Sequence, residues 1–113
     1  MQRIHQLQPI LADLSSGLLA MFGDHMIEAI LFGSYARGEA EEGSDMDVLV
    51  LVDIPRETTL QYTWQLGELA SELLLEHGIM VSPIVENRDY FLRTAHIFPL
   101  FRNVRDEGVR ISA

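Results

Sequence analysis

Two aspartates, Asp45 and Asp47, stand at the head of a very apolar run, and ten residues separate them from the pair Gly33-Ser34. Side chains two apart on a strand point to one face, roughly 7 Å apart along the backbone. Unpaired carboxylates at that spacing repel by about 2 kcal/mol at an effective dielectric near 20. A bound divalent cation would remove that repulsion. Oxygen donors alone, with no histidine or cysteine close by, favour magnesium or manganese. Gly33, at the end of an apolar run, permits torsions or a close approach that a Cβ would obstruct. Ser34 falls where a short helix would begin, and free amides with a hydroxyl suit an anion. A phosphate cradle facing a carboxylate pair belongs to phosphoryl or nucleotidyl transfer, where positioning and charge neutralisation supply most of the catalysis. The bland alternative is an acidic turn, because a Gly-Ser pair or an Asp-x-Asp is common by chance.

The flanking segments must hold these groups. Met26 to Phe32 is an apolar run of strand length that stops at Gly33, and Val48 to Val52 reads as a strand buried on both faces. The glycine-bearing, acid-rich stretch Ser34 to Ser44 joins them, so both of its ends are anchored. Upstream, Ile4 to Phe22 places Ile4, Leu7, Ile10, Leu11, Leu14, Leu18 and Leu19 at helical steps, with Gly23-Asp24 as the stop. Downstream, Thr58 to His77 reads as a helix with Leu60, Trp64, Leu66, Leu69, Leu73 and Leu74 as its core stripe. Gly78 closes it, Ile79 to Val85 makes a third strand, and Arg88 to Asp106 is helical with a break at Pro99. The order helix, strand, strand, helix, strand, helix predicts an α/β (α+β) fold with a mixed β-sheet. Residues 1–113 read as a single domain without repeats or linkers.

Composition narrows the function classes. The chain has 113 residues, 48% hydrophobic and 22% charged, which is a globular balance. There is no cysteine, which excludes disulfides, thiolate metal sites and a cysteine nucleophile. All eight basic residues are arginine, so a catalytic or P-loop lysine is excluded. Seventeen acids give a net charge of −9. Residues 1–87 carry three arginines against fourteen acids, whereas residues 88–113 carry five arginines against three. The acidic body disfavours direct nucleic-acid binding. No apolar run approaches the roughly 18–20 residues of a membrane span, and no signal-peptide pattern is evident, so a cytoplasmic location is expected.

The motif Gly33-Ser34, ten residues, Asp45-x-Asp47 resembles the signature of the minimal nucleotidyltransferase (MNT) family within the DNA polymerase beta-like superfamily. The context is similar too: apolar strand, Gly-Ser, a short Ala-Arg-Gly helix, acidic loop, Asp-x-Asp, apolar strand. The resemblance implies the minimal nucleotidyltransferase fold, its helices on one sheet face, with Gly33 and Ser34 holding the triphosphate of ATP. It implies Mg2+ on Asp45 and Asp47 as the catalytic carboxylates. It further implies an antitoxin that transfers AMP to a tyrosine on a HEPN-type toxin protein. Two competitors stand beside that reading: nucleotidylation of a small molecule, as in antibiotic-modifying relatives, and a binding module that masks its partner. The acceptor, the base preference and the oligomeric state are left open, a homo-oligomer included.

One departure from the family concerns a third carboxylate on the following strand. The run Ile79 to Val85 has no acid, and Ser82 stands where the carboxylate is expected. Glu86 and Asp53 share the right parity but lie roughly 13 and 20 Å along their strands, too far to substitute. Arg37, one turn after Ser34, reads either as a nucleotide-binding residue or as a solvated partner of Glu39 and Glu41. Tyr35 either stacks on a base or braces the loop, the latter favoured. Trp64 reads as core. His5, His25, His77 and His96 lack metal-ligand spacing and read as surface or capping residues, and Glu68, Glu72 and Glu76 as a solvated helix face. Arg93, Arg102 and Arg105 interleave with Phe91, Phe98, Leu100 and Phe101, a mix suited to a protein interface.

Overall fold

The computed structural model describes residues 7–112; Ile4 and His5 lie outside them. Helix α1 spans Gln8–Phe22, with Pro9 in its first turn, where the missing N–H leaves no bond unmade. Its buried face is Ile10, Leu11, Leu14, Leu18 and Phe22, whereas Leu19 turns outward. A short 3-10 turn, Gly23–His25, leads into β1, Met26–Phe32, with the bounds the sequence predicts. Helix α2, Gly33–Arg37, and a loop follow, then β2, Met46–Val52, which pairs antiparallel with β1.

The next helical segment is divided. Arg56–Thr59 forms α3, Leu60–Tyr62 a 3-10 turn, and Thr63–His77 forms α4. The crossover returns the chain to β3, Val81–Asn87, parallel to β2. Helices α5, Arg88–Thr94, and α6, Pro99–Glu107, are separated before Pro99, as proline geometry demands. A fourth strand, β4, Val109–Ser112, then pairs antiparallel with β1. The sheet order is β3-β2-β1-β4, and the sheet is mixed.

Two expectations are corrected. Helices cover both faces of the sheet rather than one. Val48, Val50 and Val52 pack with Leu14, Leu18 and Leu73 of α1 and α4, while Leu49 and Leu51 pack with Phe91, Ala95, Phe101 and Val104 of α5 and α6. The reason lies in β2: alternate side chains point to opposite faces, and both sets are large and apolar. Trp64, in turn, is 78% exposed and Leu60 74% exposed, so neither belongs to the core. On a helix of 100° per residue, Trp64 stands 180° from Leu73, the one fully buried side chain of α4. Leu66 and Leu69 share the inner side with Leu73 and are partly buried. Against α1 the fit is close, because a Cβ added at Gly17 would lie 2.5 Å from Cδ1 of Leu69.

Candidate active site

The register of the β1–β2 ladder sets Asp47 opposite Phe32, the residue before α2. Gly33 therefore begins α2 against the Asp47 carboxylate. Its φ is +74°, and a Cβ there would lie 2.6 Å from Asp47 Oδ2. Both the left-handed torsion and the close approach require glycine. Ser34 is the second residue of α2, and its carbonyl accepts the Glu39 amide at 2.9 Å, which turns the chain into the loop. Gly38 continues that turn with φ +73°. In the loop, the Glu41 amide donates to Ser44 Oγ at 2.9 Å and the Ser44 amide donates to the Glu41 carbonyl at 3.0 Å. The Met46 amide donates to the Met80 carbonyl at 2.8 Å, anchoring the Asp45–Asp47 segment to the turn before β3.

Asp45 is exposed and Asp47 half-buried. Burial raises the Asp47 carboxyl above its ordinary value; the Asp45 charge adds to this and the Arg37 charge opposes it. A half-buried carboxylate whose ionisation is disfavoured by burial and by the Asp45 charge, beside a glycine with no Cβ in the way, fits a hard divalent cation with oxygen ligands. Along β2, Asp47 shares parity with Leu49 and Leu51, so it lies on the sheet face that α5 and α6 cover further along, with Asp45 just before the strand.

Arg37 is turned to protein partners. Its Nε donates to Glu39 Oε1 at 2.6 Å and a terminal nitrogen donates to Glu107 Oε2 at 3.1 Å, so α2 is tied to α6. Of the two expected partners Glu39 is present, and Glu107, seventy residues away, is added. Tyr35 is buried in the core; desolvation first, then the Asp45 charge, raises its phenol above the ordinary value. It lies in the same buried cluster as Ala40 of the loop. A pocket of about 520 Å³ opens beside the loop, lined by Tyr35, Glu42, Ser44, His77, Ile79 and Met80.

Ser82 stands beside Asp47 in the β2–β3 ladder, the location expected for the third carboxylate. The two distant acids are engaged elsewhere: Asp53 with His25 at 2.7 Å, and buried Glu86 with Arg56 at 3.0 Å. His77 is more than a surface residue. Its Nε2 lies 2.8 Å from Asp13 and 3.6 Å from Glu76, a mixed donor cluster that no sequence spacing signals. In the C-terminal part, Phe91 and Phe101 are buried, leaving Phe98, Leu100 and the arginines toward solvent.

The sequence profile of the nucleotidyltransferase domain family matches residues 11–99. The chain belongs to that family. The "Putative protein adenylyltransferase MJ0604" of Methanocaldococcus jannaschii is 32% identical over 93 residues, 82% of this chain and 85% of the relative. A solved structure described as a "putative minimal nucleotidyltransferase" superposes with a TM-score of 0.59 at 27% identity, over 96% of this nucleotidyltransferase and 95% of that chain. The MNT antitoxin complex with a tri-AMPylated HEPN toxin of Shewanella oneidensis superposes with a TM-score of 0.53 at 18% identity, a likeness of fold. That match covers 92% of this chain and 70% of the other. Among the described residues of this nucleotidyltransferase, no helix is long and apolar enough to cross a membrane.

Proposed function

We propose that this nucleotidyltransferase transfers AMP from Mg-ATP to a tyrosine hydroxyl of a partner protein, as the antitoxin of a HEPN/MNT pair. The observation that carries the reading is the juxtaposition of Gly33, Asp45 and Asp47. A carboxylate whose ionisation is disfavoured is held against the strand-to-helix turn, in the space a Cβ at Gly33 would take. Ser34, with its hydroxyl and amide at the head of α2, orients the triphosphate, and Arg37 exchanges a carboxylate for a phosphate oxygen. Magnesium bound by Asp45 and Asp47 supplies neutralisation of the triphosphate charge.

In the transfer, the acceptor phenol oxygen forms a bond to the α-phosphorus. The bond from that phosphorus to the bridging oxygen breaks, and pyrophosphate leaves with the electron pair. The acceptor must lie in line with that bond, within roughly 3–3.5 Å of the phosphorus. Ser82 cannot act as a carboxylate base, so the phenolic proton leaves through solvent or a group on the partner. Tyr35, buried and with a raised pKa, stays protonated and serves as support.

The protein is incubated with Mg-ATP and the product of the adjoining reading frame, and the partner is weighed by intact mass spectrometry. Gain of AMP units, lost in Asp47→Asn, supports transfer. The missing third carboxylate favours a second reading, a nucleotide-binding module that masks its partner. Neutralisation without a mass change, undiminished in Asp47→Asn, would establish that one.

A further inference from the structure

The outward face of α4 carries the two most exposed large apolar side chains of the described residues. Trp64, 78% exposed, and Leu75, 87% exposed, lie on it within about 20° of each other on the helical wheel, and Leu60, 74% exposed, precedes them. Beside Trp64 runs an open groove of about 840 Å³, lined by Leu60, Gly67, Glu68, Ser71 and Glu72.

Gly67 has no purpose inside this fold. It sits within a regular helix, its torsion is ordinary, and a Cβ there would meet nothing within 4 Å. A mid-helix glycine disfavours the helix relative to alanine. Gly17 shows the contrast: a Cβ there would strike Leu69, so that glycine is explained by packing within the chain. What Gly67 permits is close approach from outside.

Charge completes the pattern. Glu68, Glu72 and Glu76 follow one another at four-residue steps, a like-charge row that weakens an isolated helix. Residues 57–87 contain no arginine or lysine to offset them. A second copy apposing the same face would set two such rows against each other. A basic partner would relieve them.

We infer that the Trp64 face of α4 docks an amphipathic helix of the partner protein, apolar along its centre and flanked by lysine or arginine. Trp64 is the anchor, Gly67 and Ser71 admit the approaching backbone, and Glu68 and Glu72 pair with the flanking charges. Helix α4 packs, through its inner side, on the sheet face opposite the one that Asp47 shares with Leu49 and Leu51. The Trp64 face is therefore a holding surface that can be occupied while the acceptor hydroxyl visits the site. The inference rests on the reading that the chain works on a protein partner.

Trp64 is the only tryptophan in the chain, so its emission reports this face directly. The protein is titrated with the product of the adjoining reading frame, following emission, complex size by light scattering, and partner mass after incubation with Mg-ATP. The expected results are a solvent-like emission in the free chain, a blue shift on complex formation, and affinity that falls with salt. Gly67→Leu, which favours the helix, should weaken binding at least tenfold without lowering the melting temperature, and Glu68→Lys/Glu72→Lys should do likewise. A complex with unshifted emission, wild-type affinity in Gly67→Leu, a blue-shifted dimer of the chain alone, or no complex at all would each overturn the inference. AMP gain with unshifted emission overturns the docking face and leaves the transfer reading intact. A Gly67-dependent blue shift without any mass gain does the reverse.

Discussion

Ser82 stands directly beside Asp47 in the parallel ladder between β3 and β2, at the strand position where a third carboxylate is expected. Ser82→Asp should therefore increase AMP transfer, measured as pyrophosphate release with Mg-ATP and acceptor. The added charge should also lower stability without magnesium, by about 1–3 kcal/mol at an effective dielectric near 20. Unchanged turnover, with the protein folded, would show that proton removal does not limit the reaction.

Asp47 should leave a signature in stability against pH. Its folded pKa is raised by burial and by Asp45, so the folded chain holds this proton more tightly than the unfolded chain. The resulting stability is fully present below the unfolded carboxylate pKa and is lost as pH rises through the raised folded value. Asp47→Asn should thus be more stable than wild type at neutral pH. The advantage should vanish on acidification through the carboxylate range, as read from melting temperatures across pH. Magnesium should narrow the difference at neutral pH by stabilising wild type alone.

Mg-ATP should stabilise the wild-type fold by mass action, by about 2.7 kcal/mol at a hundredfold excess over its dissociation constant. Asp45→Asn and Asp47→Asn should abolish that shift. Ser34→Ala should weaken binding by the roughly 1.5–3 kcal/mol of one hydrogen bond to a charged group, leaving about half of the shift or less at the same ligand concentration. Gly33→Ala should abolish it and also destabilise the free protein, because it adds a left-handed alanine to a collision with the Asp47 carboxylate. Calorimetric melting with and without ligand separates the two effects.

The α1–α4 contact gives a test with no bearing on chemistry. Gly17→Ala should change stability little, since the helix gains propensity while the flexible end of Leu69 moves aside. Gly17→Leu should destabilise by about 1–3 kcal/mol, because a full side chain overpacks the contact with Leu69. Denaturant unfolding of the two variants provides the comparison.

The elements nearest the motif were the most legible. Met26 to Phe32 is apolar but for Glu28 and ends at a glycine, so its limits show in one dimension, and the run after Asp47 is plainer still. That run also implied cover on both sheet faces, because five consecutive large residues cannot all point one way. The Trp64 error came from a helix with leucines nearly all round, where spacing does not single out the inner side. Strand β4 escaped notice because Val109 and Ile111 alternate over only four residues, and their order comes from pairing with β1 some eighty residues away. The same holds for Arg37 with Glu107 and His77 with Asp13, contacts that only the folded chain brings together.

Both borders of the sheet are closed to further growth among the described residues. β3 carries Pro83, which offers no amide to an incoming strand, and β4 is four residues long with Arg110 inside it. Such borders resist the edge-to-edge polymerisation that an open four-stranded sheet invites. Backbone pairing at either margin is thereby disfavoured. The chain's associations are then selected by the side chains of its helices rather than by the backbone's indiscriminate appetite for another strand.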